Sequence, residues 1–583
     1  MMKKIKKEAL HKLFAITATF LIIPVAAAGC GSTAPSSNSP TPSSPASSGT
    51  PGSEDSLYTA PGEMPIVKEQ IQLTIFAPPD GELSRDDNLQ TKELEELTNI
   101  DIVWQIAPGD GIKEKMNLMF ASNDMTDIVM LGAGNSNRLD MASEAMLGAQ
   151  GLVIPLNDYF DTISVGYKNA MEKLDGMREY ITTPDGNIYS LPNVDGSLHV
   201  QYNMKLWINT VWLDNLGLSM PTTTDEFYTV MKAFKEQDAN GNGNPNDEIP
   251  FSTVKSGAGT QLDGYLMNPF QLTPETTKLY LDNGTVTFSP VQDNYKEGLK
   301  YLNKLYSEGL INPESFTQDM NNQVNVNENG EYPVIGAFIA QRPGYATDMT
   351  TVPNSNKWHQ YQSVPPLKGP SGEAVAAWNP YAMYQTGMTF ITSSCQYPEA
   401  AFRLIDYLAT PEGVVRSTYG IEGVHYRQAE SGELGMDGNP AKYTRITGAD
   451  TTNAIWHQLA GRVLLPEDPL DVTVNLDPYA QDVVPTTGQL VILYNASKEH
   501  EKVRQPLESV LPSLYMSSSD AEEMALIKTT VMDYANETLV RFVTGDMDIE
   551  KDWDTYISQL NSIGLARYLE LLQTAYDNSA FAK

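Results

Sequence analysis

Cysteine is nearly absent from this chain of 583 residues, which contains only Cys30 and Cys395. If Cys30 is acylated, Cys395 remains alone and no disulfide can form within the body. The fold must then be held together by a hydrophobic core, and a chain of this length can bury a large one. The length also predicts two or more domains.

Positive charge is scarce as well. The chain has 39 Lys and Arg against 73 Asp and Glu, and its formal net charge is −34. Loss of residues 1–29, which contain five Lys and one Glu, would bring the charge near −38. Nucleic acids are bound through dense positive charge, so the composition argues against nucleic acid as a partner and against polyanionic ligands held by the bulk field.

Catalytic signatures are missing. The chain has no His-Glu-x-x-His, no Gly-x-Ser-x-Gly, no phosphate-binding Gly-Lys-Ser/Thr and no cysteine pair at metal spacing. We interpret Cys395 as a small buried residue rather than a nucleophile. Carboxylates are too numerous for closeness in sequence to indicate a glycosidase pair. The histidines after residue 29 are scattered, and we interpret them as packed or surface residues: His199, His359, His425, His457 and His500. We therefore predict that the chain is not an enzyme.

The N-terminus is organised for export. Five lysines precede an apolar run over residues 13–28, which ends in small residues before Cys30, and a Ser/Pro/Thr/Gly tract follows over residues 31–62. We predict a secretion signal over residues 1–29 and a disordered tether over 30–62, with a span of roughly 30 Å. An ordinary secretory peptide and a short membrane anchor are alternatives, although the run is short for a span.

The residues around Cys30 resemble the lipobox of bacterial lipoproteins, in which the cysteine is acylated and becomes the mature N-terminus. One position departs from it, because Ala27 stands where Leu is usual. The resemblance implies that Cys30 carries lipid. The protein would then be extracytoplasmic and anchored to the bacterial cell membrane.

The first part of the body alternates between strand and helix patterns. Segments rich in apolar residues over 71–76, 100–106 and 127–131 predict strands, and helical spacing predicts helices over 87–98 and 113–120. This order predicts a parallel α/β layer. Ligands usually bind at the carboxyl ends of such strands, here residues 77–82 and 132–135.

Another helix is predicted after residue 222. Thr223 and Glu226 have the spacing of a capping box. The apolar residues that follow recur at i, i+3, i+4 and i+7, which predicts one buried face: Phe227, Val230, Met231 and Phe234.

Several blocks together resemble extracellular solute-binding proteins of bacterial ABC importers. The first reads Asn203…Trp212-Leu213…Leu216-Gly217-Leu218…Pro221-Thr222-Thr223…Glu226-Phe227, and others cover residues 399–413, 419–426 and 542–565. The resemblance implies an α/β fold of two periplasmic-binding-protein-like lobes, with a ligand cleft between lobes joined by hinge crossovers. Lobe one would contain residues 67–194 and about 388–423, and lobe two about 195–387 and 424–583. The crossovers are expected near 194–200, near 385–390 and after about 423.

This resemblance suggests which residues would face the ligand. Aromatic rings stack on the flat C–H faces of sugars, while polar side chains bind the hydroxyl edges. Trp378, Asn379 and Tyr381 lie just before the second crossover. Gln341 and Arg342 lie in a segment that resembles a cleft strand of lobe two. Asp195 lies at the first crossover, and these six residues are the candidates. Any one of the aromatic residues could instead belong to the core.

A loop over residues 238–248 has the pattern of a calcium site. Oxygen-bearing side chains occupy loop positions 1, 3 and 5, a glycine occupies position 6, and a backbone carbonyl would serve at position 7, but Ile249 replaces the usual Glu at position 12. The loop more closely resembles that of the alginate- and oligosaccharide-binding branch of the family, with one extra residue that leaves the role of Asn246 open. An Asn/Gly-rich turn is the alternative. The implied ligands of a structural Ca²⁺ are Asp238, Asn240, Asn242, Asn244, Asp247 and Glu248.

The family resemblance implies a substrate-binding lipoprotein of an ABC importer. It would capture an oligosaccharide or other small solute and deliver it to the permease subunits in the membrane. Two alternatives stay open, an oligopeptide- or signal-binding lipoprotein and a surface polysaccharide-active enzyme.

Overall fold

A computed structural model describes residues 56–582 except 80–83, 109–110, 133–137, 350–354, 447, 457–458, 460, 481–482 and 484. The predicted signal segment, Cys30, most of the predicted tether and His457 lie outside the described residues. None of the described helices combines the length and apolarity that crossing a membrane requires.

The described strands are β1 (Ile71–Ala77), β2 (Ile100–Ile106), β3 (Ile128–Met130), β4 (Ser190–Asp195), β5 (Lys205–Asn209), β6 (Ile249–Ser252), β7 (Leu279–Asp282), β8 (Thr285–Phe288), β9 (Ile335–Ala340), β10 (Tyr361–Val364), β11 (Tyr384–Ile391), β12 (Tyr426–Gln428), β13 (Tyr443–Arg445) and β14 (Val463–Leu464). The described α-helices are α1 (Leu89–Thr98), α2 (Ile112–Ser122), α3 (Met141–Ala149), α4 (Asn157–Thr162), α5 (Gly166–Lys173), α6 (Met177–Ile181), α7 (Leu198–Gln201), α8 (Thr210–Leu216), α9 (Thr224–Glu236), α10 (Leu262–Leu266), α11 (Asp293–Ser307), α12 (Met320–Glu328), α13 (Pro398–Leu408), α14 (Pro411–Tyr419), α15 (Pro485–Glu501), α16 (Ser518–Thr544), α17 (Ile549–Ser562) and α18 (Leu565–Asp577).

The larger described sheet has the strand order β14-β4-β11-β3-β1-β2, and with its helices we call it lobe one. β1 pairs in parallel with β2 and β3, as the sequence predicts. β11 runs antiparallel to β3 and β4, and β14 is parallel to β4. Alternate residues of β1 enter opposite cores, with Leu73 and Ile75 on one face and Phe76 on the other. Burial of both faces suits a mostly parallel sheet.

The second large sheet has the order β10-β5-β9-β6, and with its helices we call it lobe two. β5 pairs antiparallel with β9 and β10, and β6 is parallel to β9. Helices α16, α17 and α18 pack in the core of this lobe through Phe542, Tyr556 and Tyr568, respectively. The predicted mixed α/β architecture is therefore confirmed.

Helix α9 forms as its sequence predicts. The Thr223 hydroxyl accepts a bond of 3.1 Å from the Glu226 backbone N–H, and the Glu226 carboxylate accepts one of 3.2 Å from the Thr223 N–H. The four predicted apolar residues are all buried. The capping box fixes where the helix starts, and the apolar face fixes which side meets the core.

The chain crosses between the lobes over residues 196–204 and 365–383, and a third time between β14 and α15. The second crossover ends before Tyr384, so the predicted position near 385–390 falls inside β11 instead. The predicted assignment of all residues after 423 to lobe two also differs from the structure. Val463 pairs with Val194 of β4, and Trp456 is buried in the lobe-one core, where it meets Trp104 edge-on at 5.1 Å. A two-residue strand is too short to produce a readable hydrophobic pattern.

The first described residues are fixed on lobe one by Arg403 of α13. Its guanidinium donates hydrogen bonds to the carbonyls of Thr59 (2.8 Å), Ala60 (2.8 Å) and Glu63 (3.2 Å). Tyr58 and Val67 also form an antiparallel bridge. Residues 57–60 are thus held on lobe one, so this part of the predicted tether over 30–62 is fixed rather than disordered.

Candidate functional site

Strand direction brings the ends of several strands to the gap between the lobes. In lobe one, β1, β2, β3, β4 and β14 run the same way, so their carboxyl ends share one edge with the start of β11. In lobe two, the start of β5 shares an edge with the ends of β6 and β9. Residues 196–204 join these two edges directly. This is the usual position for a ligand, although residues 80–82 and 133–135 of the two predicted loops lie outside the described residues.

A cavity of about 680 Å³ lies beside the first crossover, and we call it the hinge cavity. Its walls come from α7 and the preceding Ser197, from the end of α14, from β14 and parts of residues 436–475, and from α15. Its volume lies within the ~300–1,000 Å³ typical of small-molecule sites. The cavity therefore has contributions from lobe one, lobe two and the connection between them.

Trp378 and Asn379 join two crossovers. The Trp378 indole N–H donates to the Gln201 side-chain carbonyl of α7 at 3.0 Å, and the Asn379 backbone N–H donates to the Gln201 carbonyl at 3.0 Å. The Arg504 guanidinium lies 4.5 Å from the Trp378 ring centroid. The indole N–H therefore has a hydrogen-bond partner within the protein, and the ring has a cationic neighbour. These contacts indicate that Trp378 holds the first and second crossovers together.

Tyr381 lies among other aromatic side chains. Its ring stacks on Tyr180 at 5.5 Å with an interplanar angle of 7°, and it meets Phe581 at 5.3 Å and 70°. The ring also packs on the lobe-one core. Much of its contact surface is thus already used by the protein.

The other three predicted ligand residues lie at the two sheet edges that residues 196–204 join, one in each lobe, which we call the facing edges. Asp195 ends β4 and accepts a 3.1 Å hydrogen bond from the Ser197 N–H. Gln341 and Arg342 directly follow β9, and Arg342 is exposed. Arg342 makes no ion pair with any residue in the described part of the chain. None of the six predicted residues lines the hinge cavity.

The hinge cavity brings together residues that the sequence did not single out as ligands. Tyr419, Arg445 and Tyr494 all line it, although 75 positions separate the first from the last. A signal existed only for Tyr419, which begins one of the blocks that resemble the family. Arg445 and Tyr494 have no local pattern that distinguishes them from ordinary surface and helix residues.

A buried polar cluster lies at the start of β5. Burial lowers the pKa of Lys205 to about 7, although the nearby Glu275 carboxylate acts in the opposite direction. The Lys205 ammonium donates to the Tyr202 carbonyl. Glu275 accepts a 2.6 Å hydrogen bond from the Asn203 amide, and burial raises its pKa. Burial, with the charge of Lys205, lowers the pKa of His500 to about 3. These contacts fix the crossover to lobe two.

Glu144 of α3 is the most unusual carboxyl of lobe one. Its side chain is fully buried, and burial raises its pKa to about 7. One carboxyl oxygen accepts a 2.7 Å hydrogen bond from the Ser190 hydroxyl, but the other has no partner. The Tyr515 hydroxyl of lobe two is likewise buried without a partner, and burial together with the Glu144 charge raises its pKa.

Cys395 is half-buried rather than fully buried. Burial raises the pKa of its thiol to about 12, and the Asp127 charge acts in the same direction. The reactive thiolate is therefore suppressed at neutral pH, which agrees with the interpretation that Cys395 is not a nucleophile.

The predicted calcium loop folds into a chain of turns between α9 and β6. The Asp238 carboxylate accepts from the backbone N–H groups of Asn242 (3.0 Å) and Gly243 (2.9 Å). The Asn242 side-chain oxygen accepts from the Asn244 N–H at 2.8 Å. The side-chain amides of Asn240 and Asn242 donate to Asp247 at 3.2 and 2.8 Å.

Glu248 completes this loop from its far end. One carboxyl oxygen accepts from the Ala239 N–H at 3.0 Å, and the other is buried without a partner. Burial and the charge of Asp247 both raise the pKa of Glu248. Within the described residues no three His, Cys, Asp or Glu side chains are arranged to hold a metal ion. The side-chain oxygens that would bind an ion thus accept hydrogen bonds from N–H groups of the same loop.

Comparisons with known proteins match most of the chain. The family model described as bacterial extracellular solute-binding protein matches residues 83–415. The fructooligosaccharide ABC transporter substrate-binding protein FusA of Streptococcus pneumoniae is 29% identical over 518 residues, which cover 88% of this chain and 90% of FusA. Lipoprotein LipO of Bacillus subtilis is 23% identical and covers 85% of this chain and 90% of its own length.

Solved structures share the fold. FusA in complex with kestose is 25% identical with a TM-score of 0.65 and covers 87% of this chain and 99% of that chain. An HMO-binding, ABC-transporter-associated solute-binding protein from Bifidobacterium longum infantis is 21% identical with a TM-score of 0.71 and the same coverage. FusA has also been solved as an EF-hand mutant in complex with fructo-nystose, 24% identical with a TM-score of 0.65 and again the same coverage.

Proposed function

This chain belongs to the family of bacterial extracellular solute-binding proteins, and from that membership we propose that it is the substrate-binding lipoprotein of an ABC importer that captures an oligosaccharide. The observation that carries the solute class is the similarity to FusA, which extends over 88% of this chain. Family membership also confirms the prediction that the chain is not an enzyme.

Binding by such a protein requires closure rather than chemistry. Three crossovers join the two lobes, and connections between otherwise separate lobes allow hinge motion. A solute that contacts both lobes favours the closed arrangement over the open one, which is a population shift. The permease would then distinguish loaded from empty protein by shape.

The proposed ligand residues at the facing edges are Asp195, Gln341 and Arg342. Trp378 and Asn379 would contribute from the crossover junction. Tyr381 would contribute by the part of its ring that Tyr180 and Phe581 leave uncovered. We propose these six as ligand-binding residues because they surround the gap between the lobes.

A thermal-shift experiment tests the solute class. The Cys30→Ser protein is heated with kestose, nystose, maltotriose, trigalacturonate and a set of tripeptides and tetrapeptides. We expect at least one oligosaccharide to raise the melting temperature, because a ligand that binds only the folded state stabilises it. Stabilisation by peptides alone would reject the oligosaccharide assignment in favour of an oligopeptide-binding protein. Release of shorter sugars during long incubation would instead indicate a polysaccharide-active enzyme.

We also propose that the loop over residues 238–248 binds a structural Ca²⁺. Asp238, Asn240, Asn242 and Asp247 supply the hard oxygen ligands that Ca²⁺ prefers. A cation beside the unpartnered oxygen of Glu248 would relieve both its burial and its repulsion from Asp247. The EF-hand mutant of FusA supports a loop of this type in a relative. The ion would tie the end of α9 to the start of β6, far from the facing edges.

The final part of the proposal concerns attachment. We propose that residues 1–29 are removed and that Cys30 is acylated, which would hold the protein at the outer side of the bacterial cell membrane. Membrane fractionation of cells producing the wild-type and Cys30→Ser chains tests this. We expect the wild-type chain in the membrane fraction and the variant in the medium or soluble fraction. Identical distributions would reject the lipid anchor.

A further inference from the structure

The last described residues of the chain are folded rather than frayed. After α18, the Ser579 N–H donates to the Tyr576 carbonyl at 2.9 Å, and the Phe581 N–H donates to the Ser579 hydroxyl at 3.2 Å. The Tyr576 hydroxyl donates back to the Phe581 carbonyl at 3.3 Å. Chain termini are usually poorly ordered unless contacts tie them down, so these bonds give Phe581 a defined position beyond the end of α18.

Helix α18 itself belongs to lobe two. Its Tyr568 and Leu572 are buried in the lobe-two core, and Tyr576 packs against the same core. The Gln573 side chain also accepts a 2.8 Å hydrogen bond from the Val286 N–H of β8. A movement of lobe two therefore carries the C-terminal turn with it.

Phe581, however, packs on lobe one. Its side chain packs against the lobe-one core and meets the Tyr381 ring at a centroid distance of 5.3 Å and an interplanar angle of 70°. Two aromatic rings attract one another in this edge-to-face geometry. Tyr381 is held in turn by Tyr180 of α6, whose ring stacks on it. The C-terminal turn thus makes a noncovalent contact between the lobes in addition to the three crossovers.

A second segment of lobe two meets the same part of lobe one. Leu511 and Met516 pack against the lobe-two core, and between them Ser513 forms a side-chain hydrogen bond with Tyr180. Burial raises the pKa of Tyr180, and this hydrogen bond acts in the opposite direction. Lobe two therefore reaches Tyr180 twice, directly and through the ring of Tyr381, so the C-terminal contact is part of a larger interface.

We propose that the C-terminal turn, residues 579–582, is a latch that holds the two lobes together in the solute-free protein. Phe581 moves with lobe two and Tyr381 with lobe one, so a rotation of one lobe against the other displaces one ring from the other. The contact therefore favours the lobe arrangement of this structure over more open ones. The latch would set the fraction of empty molecules that are open to a solute. This inference goes beyond the proposed function, because it concerns the empty protein and holds whichever solute is bound.

Small-angle scattering of the solute-free protein tests the latch, with all variants made in the Cys30→Ser background. Phe581→Ala removes the ring, and a chain that ends at Asn578 removes the whole turn. Loss of one edge-to-face pair corresponds to a decrease of roughly twofold to tenfold in the ratio of latched to open molecules. We therefore expect both variants to have a larger radius of gyration than the parent.

Two controls separate the latch from a general effect on the fold. Phe581→Tyr keeps an aromatic ring at this position and should give the radius of the parent. Leu526→Ala removes an exposed apolar side chain from α16 of lobe two and should also leave the radius unchanged. Circular dichroism should show the same helix content in the parent and in Phe581→Ala, because Phe581 is only half-buried. If the shortened chain lost helix content, Phe581→Ala alone would decide.

A radius in Phe581→Ala equal to that of the parent would overturn the role of the ring. The same result in a folded chain ending at Asn578 would overturn the latch as a whole. A smaller radius in either variant would also overturn it, because the turn would then keep the lobes apart. None of these outcomes affects the proposed function, since the thermal-shift experiment tests the solute class separately.

Discussion

A carboxyl such as that of Glu144 is costly to bury unless it is neutral. Its pKa rises to about 7 because burial disfavours the ionised form, and the hydrogen bond from Ser190 offsets only part of this. In the unfolded chain the same group has its ordinary pKa of 4.5. The folded state therefore binds this proton more tightly, and the associated stability is fully present below pH 4.5 and is lost as the pH rises through about 7.

This linkage predicts the effect of Glu144→Gln, which keeps a neutral side chain at every pH. Between pH 4.5 and 8 we expect the free energy of unfolding of the wild-type protein to fall by roughly 3 kcal/mol relative to the variant. Urea unfolding across this pH range measures the difference. Glu69→Gln, at an exposed position, serves as the control and should follow the wild type. Parallel curves for wild type and Glu144→Gln would contradict the raised pKa.

Among the elements, the loop between α9 and β6 has the sharpest test. If Ca²⁺ binds there, removal by a chelator should lower the melting temperature and added Ca²⁺ should restore it, because saturation at 100 times Kd contributes about 2.7 kcal/mol. Asp238→Ala removes the carboxylate that starts the loop and should abolish the response. Asp533→Ala, an exposed carboxylate on α16, should respond like the wild type. The wild-type protein is first shown to contain metal. If the chelator then leaves its melting temperature unchanged, the proposed calcium site is rejected.

The elements also show what the sequence could predict. Helix α9 was predictable because its capping box and apolar face are local patterns, and the first three strands were predictable because apolar residues predominate in each short segment. β14 was not, since two residues carry no periodicity and its place beside β4 depends on distant contacts. The hinge cavity escaped prediction for the same reason, because its walls come from segments that only the tertiary fold brings together.

At the scale of the whole molecule, two lobes and three crossovers predict a change of shape on binding. A compact body of this size has a radius of gyration of about 24 Å. We expect a saturating oligosaccharide that raises the melting temperature to reduce the radius measured by small-angle scattering, and a sugar that gives no thermal shift to leave it unchanged. An identical radius with and without a tightly bound solute would show that binding occurs without closure.

The contacts of Arg403 decide which lobe takes up a pull on the N-terminal segment. Its guanidinium holds the carbonyls of Thr59, Ala60 and Glu63 against α13, which belongs to the core of lobe one. A force applied ahead of Ser56 therefore passes into lobe one without crossing any of the three connections to lobe two. If Cys30 carries lipid as proposed, a pull from the membrane would reach lobe one first and would load none of the three connections directly, so opening and closing of the lobes would be mechanically independent of the anchor.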